Sequence, residues 1–192
     1  MPDDEGLALY ETALAVAATG PIVEIGGYCG KSAIYIGAAA REAGSILFSV
    51  DHHRGSEENQ PGEQFHDPRL LDSVGVVDTL PWFRAAIAGA GLEHWVVAVV
   101  GRSATVAEHW ETPLSMLFID GGHSQQAVDA DLDGWAPRLS PLGVLAIHDV
   151  FPDPADGGRP PFVAYQAALA SGAYDEVREV GSLRILRRRP KH

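Results

Sequence analysis

Covalent cross-links and membrane-spanning segments are both missing from this sequence. Cys29 is the single cysteine among 192 residues, so no disulfide can form within the chain. No uninterrupted apolar run is long enough to cross a bilayer. The acidic start, from Met1 to Glu5, lacks the positive charge that opens a secretory signal. We therefore expect a cytoplasmic protein that folds without disulfides and has no membrane partner.

Basic residues are also scarce. The chain has 14 lysines and arginines against 26 aspartates and glutamates, which gives a formal net charge of −12. Proteins that bind nucleic acid neutralise its phosphates with a basic surface, so this balance argues against a nucleic-acid partner. The basic cluster at residues 187–192 is interpreted as a solvated tail on the last strand.

Short apolar runs alternate along the chain with segments of helical composition, which is typical of a mainly parallel sheet with helices on both faces. No internal repeat is visible. We therefore expect a single domain over residues 1–192, with a Rossmann-like, doubly wound α/β fold of seven strands and a C-terminal antiparallel hairpin. The predicted strands are 22–25, 46–50, 95–100, 114–119, 144–147, 176–180 and 182–187. The predicted helices are 6–19, 31–43, 79–90, 103–110, 124–136 and 162–171.

Polar and ionisable residues stand at the carboxyl ends of several predicted strands. In open α/β sheets, ligands bind beyond these ends. A polar residue often begins a loop for no functional reason, but that explains a repeated acid or histidine less well. The sequence therefore predicts a ligand site at this edge of the sheet. The residues at the strand ends are Glu24, Asp51, Gly101, Asp120, His148 and Asp149.

A glycine-rich turn, Gly26 to Gly30, separates the first strand from the following helix. Glycines permit a sharp turn and close approach of a ligand, and the helix N-terminus offers free N–H groups to an anion. A dinucleotide-binding turn would need glycine where Tyr28 stands. The run Gly30-Lys31-Ser32 matches the end of a P-loop, but a P-loop would also need glycine where Ile25 stands, and Glu24 would face its phosphates. The P-loop stays an alternative, since Asp120 ends a strand as a magnesium-binding acid does.

The run from Glu24 to Ser32, E-I-G-x-x-x-G-x-S, resembles the first motif of class I S-adenosylmethionine-dependent methyltransferases. Asp51 ends the second strand, where that family has the acid that accepts the ribose hydroxyls. Ser103 stands where the family holds the adenine, although a helix N-cap explains it equally well. The resemblance implies S-adenosylmethionine as the cofactor. The cofactor-binding residues that it implies are Glu24, Gly26, Gly30, Ser32, Asp51, Ser103 and Asp120.

Two further motifs carry the chemistry. The run F-I-D-G-G-H, which ends at His123, and the run I-H-D-V, which starts at Ile147, resemble metal-dependent O-methyltransferases of the catechol and macrolide-sugar types. The resemblance implies that Asp120, His148 and Asp149 hold Mg²⁺ or Mn²⁺, which lowers the pKa of a bound hydroxyl. It also implies His123 as the general base. His148 stands where an acid is usual, so it is a ligand for a softer ion, an alternative base or a structural histidine.

The longest predicted connection is the segment 52–78, and such loops are commonly lids. Its many hydrogen-bonding groups suit a polyhydroxylated ligand, since unpaired buried hydroxyls are costly. With the resemblance to sugar enzymes, including the methylmannose polysaccharide type, this predicts a sugar or small polyol as acceptor and a catechol-like phenol as the alternative. A homodimer is expected, and a nucleoside-binding protein without turnover is the alternative outside enzymes. Trp82, Trp110 and Trp135 lie on predicted helices and are expected in the core.

Overall fold

The computed structural model describes residues 1–63, 65–122 and 124–190. Within them, seven strands form one sheet in the order β3-β2-β1-β4-β5-β7-β6. Strands β1 to β5 are parallel, whereas β7 runs antiparallel to β5 and β6. The predicted α/β fold with its C-terminal hairpin is confirmed. The strands are β1 (Ile22–Ile25), β2 (Leu47–Asp51), β3 (Val96–Val100), β4 (Leu114–Ile119), β5 (Leu139–Ile147), β6 (Tyr174–Val180) and β7 (Leu183–Arg188).

Helices cover both faces of this sheet. Helices α1 to α3 pack on one face and α4 to α6 on the other. Strand β4 shows why its sequence is continuously apolar: Met116 and Phe118 enter the first core, while Leu117 and Ile119 enter the second. The helices are α1 (Asp3–Val16), α2 (Lys31–Ala43), α3 (Leu80–Gly89), α4 (Ser103–Glu108), α5 (Gln125–Trp135) and α6 (Pro160–Ala170).

Strands β1 and β4 lie side by side at the centre of the sheet, although two strands and three α-helices separate them in sequence. From β1 the chain winds outward through β2 to β3, and then returns to place β4 on the other side of β1. This reversal of strand order opens a crevice at the carboxyl ends of the two strands, where ligands bind in folds of this kind. The candidate site therefore lies at the turns that follow β1 and β4.

Two elements begin three or more residues earlier than the sequence predicts. Helix α1 begins at Asp3 rather than at residue 6, because acids in a first helical turn interact favourably with the helix dipole. Strand β5 begins at Leu139 rather than at residue 144, because Leu139 pairs with Leu114 across an irregularity in the β4–β5 register. The helical start matters for the site, since it places Glu5 inside α1.

The expectation for the tryptophans is wrong at one position. Trp135 is fully buried and Trp110 packs on its ring, with 5.4 Å between centroids. Trp82, in contrast, is 50% exposed, because α3 turns only Phe83 and Ile87 into the core. Segment 52–78 has more structure than its sequence predicts, with two 3₁₀ turns and a bridge between Leu71 and Val77. In the described part of the chain, no helix has the length and apolar character to cross a membrane.

Candidate active site

The turn after β1 approaches the end of β4 more closely than a side chain would allow. Gly26 has a φ of +90°, and a Cβ atom there would lie 2.2 Å from the carbonyl oxygen of Asp120. Gly30 has a φ of +92° and immediately precedes α2. Residues other than glycine rarely adopt such angles. The two glycines thus hold the turn in the crevice, beside Asp120.

Glu24 and Ser32 lie beneath this turn. The Glu24 carboxylate is fully buried, accepts a hydrogen bond from the Ser49 hydroxyl at 2.6 Å and is also hydrogen-bonded to Ser32. Burial raises the pKa of Glu24 to about 7, against the effect of these hydrogen bonds. Its Oε1 atom has no hydrogen-bond partner among the described residues. The structure places both side chains behind the turn, so their contact with a cofactor stays a prediction.

Asp51 ties the glycine turn to the segment that follows β2. One carboxylate oxygen accepts a hydrogen bond from the backbone N–H of Tyr28 at 2.8 Å, and the other from that of His53 at 2.7 Å. Both donors have positive φ angles, 44° and 57°, which are uncommon outside glycine. A carboxylate accepts about four hydrogen bonds, so Asp51 keeps acceptor capacity for two hydroxyls. The remaining acceptor capacity is compatible with a ribose, and the role of Asp51 as the ribose acid stays a prediction.

Ser103 does not cap α4, since the N-cap position is Arg102. The Ser103 hydroxyl accepts a hydrogen bond from the indole N–H of Trp135 at 2.8 Å and is also hydrogen-bonded to Asp131. Burial raises the pKa of Asp131 to about 6, against the effect of that bond. Because Trp135 and Asp131 already bind this hydroxyl, a contact between Ser103 and the adenine stays a prediction.

Asp120, His148 and Asp149 meet at the ends of β4 and β5. One ligand atom from each, a carboxylate oxygen or an imidazole nitrogen, lies within 4.8 Å of the other two. His148 Nδ1 is 2.9 Å from Asp120 Oδ1 and 3.2 Å from Asp149 Oδ1. A small cavity of about 10 Å³ borders Asp120 and His148. The structure therefore brings together the three residues predicted to hold a metal ion.

The second nitrogen of His148 is bound by a residue from the other end of the chain. His148 Nε2 lies 2.8 Å from Glu5 Oε2, and both side chains are buried. Burial alone would lower the pKa of His148, but the hydrogen bonds and charges of Asp120 and Asp149 raise it to about 11. Both ring nitrogens of His148 face carboxylates, so neither is open to a substrate hydroxyl from which it could take a proton. This geometry argues against His148 as the general base.

His123, the preferred base of the sequence analysis, lies outside the described residues. Its flanks are placed: Gly122 follows the end of β4, and the Ser124 hydroxyl caps α5 by accepting the Ala127 N–H at 3.3 Å. The assignment of the base to His123 stays a prediction.

A larger depression, of about 560 Å³, lies elsewhere on the molecule. It is bordered by Gly20, Pro21 and Ile46, which precede β1 and β2, and by Trp110, which precedes β4. Among the described residues, none that lines it carries an ionisable side chain. It lies at the amino ends of the strands, opposite the crevice, and offers no group for acid–base chemistry or metal binding.

Sequence reasoning missed two of the residues that shape the site. Asp131 falls between Val128 and Trp135, and an acid on the buried stripe of an amphipathic helix is a signal that the pattern contained. Glu5 carried no comparable signal. It belongs to an acidic start, and only the fold shows that it meets a histidine 143 residues away.

A family model described as a methyltransferase domain matches residues 23–150. This range includes the glycine turn, Asp51, Asp120, His148 and Asp149. It covers most of the chain and runs from β1 to the first residues after β5.

Several solved structures share the fold over nearly the whole chain. TomG, an O-methyltransferase from Streptomyces achromogenes solved in complex with SAM, is 15% identical, with a TM-score of 0.66 over 98% of this chain and 81% of its own. An O-methyltransferase from Bacillus cereus in complex with SAH is 16% identical, with a TM-score of 0.68 over 98% and 82%. CalS11, a TDP-rhamnose 3′-O-methyltransferase of calicheamicin biosynthesis, is 16% identical, with a TM-score of 0.66 over 95% and 77%.

Proposed function

The chain belongs to this methyltransferase family and has the fold of the class I S-adenosylmethionine-dependent enzymes, and on that basis we propose that it transfers a methyl group from S-adenosylmethionine to a hydroxyl of a sugar or small polyol. One observation carries the proposal: the glycine turn is packed directly against Asp120. Asp120 in turn belongs to the cluster with His148 and Asp149. The candidate cofactor site and the candidate acceptor site are therefore adjacent, as direct methyl transfer requires.

The three residues fit a divalent cation. Asp120 and Asp149 supply hard oxygen ligands, and His148 supplies a nitrogen ligand. Imidazole is a better ligand for Mn²⁺ than for Mg²⁺, so this set favours Mn²⁺ while still accepting Mg²⁺. When bound, such a cation lowers the pKa of a coordinated hydroxyl and orients the acceptor.

Cofactor binding, metal ligation and proton transfer are assigned to different residues of the chain. The glycine turn and Asp51 bind the cofactor and set the direction of its methyl group. His148 is assigned to the ligand set because its Nδ1 atom lies beside Asp120 and Asp149, where a bound cation would displace any hydrogen on that nitrogen. His123, which follows the same strand as Asp120, is assigned as the base that takes the hydroxyl proton.

The identity of the acceptor has less support than the reaction. CalS11 acts on a sugar nucleotide, which favours a sugar. The polar groups after Asp51 are largely paired with one another, however: the Asn59 carboxamide bonds Ser56, and Gln60 bonds the backbone of Arg54. Phe65 is 57% exposed in the same segment. These two observations favour the phenolic acceptor as the second candidate. The homodimer, the cytoplasmic location and the lack of a nucleic-acid or membrane partner stay predictions.

The position of the Lys31 side chain argues against the P-loop alternative. A P-loop lysine must reach the phosphates above the turn, but Lys31 Nζ pairs with Asp3 Oδ1 at 2.9 Å on the surface between α1 and α2. The buried Glu24 carboxylate also lies directly below the turn. Both features oppose a polyphosphate at this position.

Calorimetric titration tests the proposal. S-adenosylhomocysteine should bind the purified protein, and ATP should not. A screen of sugars and catechols with Mn²⁺ and S-adenosylmethionine should then yield a methylated product, with Asp149→Asn as the comparison of lowered activity. Binding of ATP without any response to S-adenosylhomocysteine would overturn the proposal.

A further inference from the structure

Helix α1 reaches the candidate metal site through one buried side chain. Glu5 is 1% exposed, and its two carboxylate oxygens have separate partners. Oε2 faces His148 Nε2 at 2.8 Å. Oε1 accepts the backbone N–H of Ser182 at 2.7 Å and the Ser182 hydroxyl at 2.9 Å. The carboxylate thus bridges the end of β5 and the β6–β7 hairpin.

The Ser182 contact fixes which way the Glu5 carboxylate faces. A backbone N–H is a donor that cannot reverse its role, so Oε1 must remain an acceptor. Ser182 is itself held, since its carbonyl oxygen accepts the Val150 N–H at 2.9 Å. Gly181 lets the hairpin approach, because a Cβ atom at that glycine would lie 2.5 Å from Glu5 Oε1.

An ionised carboxylate can only accept hydrogen bonds, so the hydrogen between Glu5 and His148 belongs to the imidazole. The Nε2 atom therefore carries a hydrogen, and the Nδ1 atom is the nitrogen that points toward Asp120 and Asp149. Histidines that bind metals commonly donate their other ring N–H to a carboxylate, which fixes both the tautomer and the ring orientation.

We propose that Glu5 is a positioning residue that keeps hydrogen on His148 Nε2 and thereby presents Nδ1 to a cation shared with Asp120 and Asp149. The consequence for the cation rests on the proposed metal-assisted function. The arrangement of the hydrogen between Glu5 and His148 does not depend on it.

The Glu5→Gln substitution tests this proposal with an isosteric side chain. The carboxamide oxygen must face the Ser182 N–H, so the NH₂ group must face His148 Nε2. Two donors cannot share that contact, so Nε2 should lose its hydrogen. The hydrogen on Nδ1, which a cation must displace, should then be the only one left on the ring and should hinder metal binding. We expect Mn²⁺ affinity, measured by titration with detection by electron paramagnetic resonance, to fall about 10- to 100-fold. Affinity for S-adenosylhomocysteine without metal should not change.

Glu11→Gln is the matched control, because Glu11 lies on the same helix and pairs with Arg178 at the surface. It should bind Mn²⁺ as the wild type does. Equal Mn²⁺ affinity in the wild type and Glu5→Gln would overturn the inference and leave the proposed function intact.

A second readout separates the two proposals. The ¹⁵N spectrum of His148 shows which ring nitrogen carries hydrogen: in the wild type Nε2 should stay protonated, and when diamagnetic Zn²⁺ is added only Nδ1 should respond. In Glu5→Gln, Nε2 should lose its hydrogen. A wild type that binds no metal would sink the metal-assisted function, while the Nε2 signal in the two proteins would still decide the role of Glu5. An Nε2 signal unchanged by the substitution would refute that role.

Discussion

The β1–β2 side of the crevice and the β4–β5 side are assembled from different kinds of contact. On the β1–β2 side, backbone atoms do most of the positioning: Gly26 approaches Asp120, and Asp51 binds the N–H groups of Tyr28 and His53. On the β4–β5 side, side chains from distant segments converge, with Glu5 and Ser182 behind His148. The first side depends on conformations that few residues adopt, and the second on the match of donors and acceptors. Substitutions that alter one kind of contact at a time test whether the two sides depend on different contacts.

The largest effect is expected from Gly26→Ala. The new methyl group would meet the Asp120 carbonyl, and the φ of +90° would add strain. We expect no measurable binding of S-adenosylhomocysteine and a large fall in Tm. Gly44→Ala is the control: its φ is +69°, but nothing lies within 4 Å of the added atom. That variant should lose only about 1–2 kcal/mol of stability and keep its affinity. Equal losses in the two variants would show that close approach is not what the turn requires.

Asp149→Asn addresses the other side of the crevice. Asn tolerates the φ of 55° found at this position, so the backbone should persist while one negative oxygen ligand is lost. We expect turnover with Mn²⁺ to fall about 100-fold, with S-adenosylhomocysteine affinity unchanged. Asp133→Asn, at an exposed position on α5, should have wild-type turnover. A fully active Asp149→Asn enzyme would remove this residue from the proposed ligand set.

Asp51→Asn should weaken the cofactor complex and leave metal binding unchanged. The carboxamide NH₂ would face one of two backbone N–H donors that the carboxylate now satisfies. Because hydrogen bonds to charged groups contribute about 1.5–3 kcal/mol, we expect a loss of about 10- to 100-fold in S-adenosylhomocysteine affinity by calorimetry. Asp67→Asn serves as the comparison, since Asp67 binds Arg69 within the segment 52–78. If both variants bind equally well, Asp51 is not the ribose acid.

The smallest effect is a pH dependence of stability. Burial raises the pKa of Glu24 from 4.5 to about 7, so the folded protein holds a proton there that the unfolded chain releases. The Glu24 contribution to the free energy of unfolding should therefore decrease as pH rises from 4.5 to about 7, by at most about 1.4 kcal/mol per pH unit. Glu5 has a lowered pKa, because His148 and Ser182 outweigh its burial, and its contribution is lost in acid instead.

Urea unfolding of the wild type and Glu24→Gln at pH 5 and pH 7 measures this difference. Relative to the wild type, the variant should gain stability at the higher pH. Glu11→Gln, which changes an exposed carboxylate, should follow the wild type at both values. The same offset between Glu24→Gln and the wild type at both pH values would contradict the raised pKa.

The fold and the residues at the carboxyl ends of the strands could be predicted from the sequence, because both follow from local sequence patterns. Apolar β runs, the glycine turn and the acid at the end of β2 are contiguous features, and Asp120, His148 and Asp149 each follow an apolar run that is visible in the sequence. Parallel strands then bring these ends to one edge without further information. Asp51 needed nothing beyond its place in the chain to be picked out.

The remaining contacts depend on how distant elements pack. Ser103 looked like a cap or an adenine contact, and its actual partners, Trp135 and Asp131, come from another helix. His148 looked like a base or a ligand, and the choice between them depends on Glu5. Trp82 looked like a core residue because helical composition does not tell which face of α3 is buried. For Ser103 and His148 the decisive partner is remote in sequence, and no local pattern encodes it.

The contacts of Glu5 with His148 and Ser182 show that residues outside the range of the family model help to hold the site. The family model spans residues 23–150, which includes every strand-end motif but neither Glu5 nor Ser182. A chimera that joined residues 23–150 of this chain to the first helix and the last hairpin of a relative would contain His148 without Glu5 and Ser182. Such a chimera would keep the recognisable signature and lose the ring's orientation, unless the recipient supplied a carboxylate from its first helix and a matching N–H from its last hairpin.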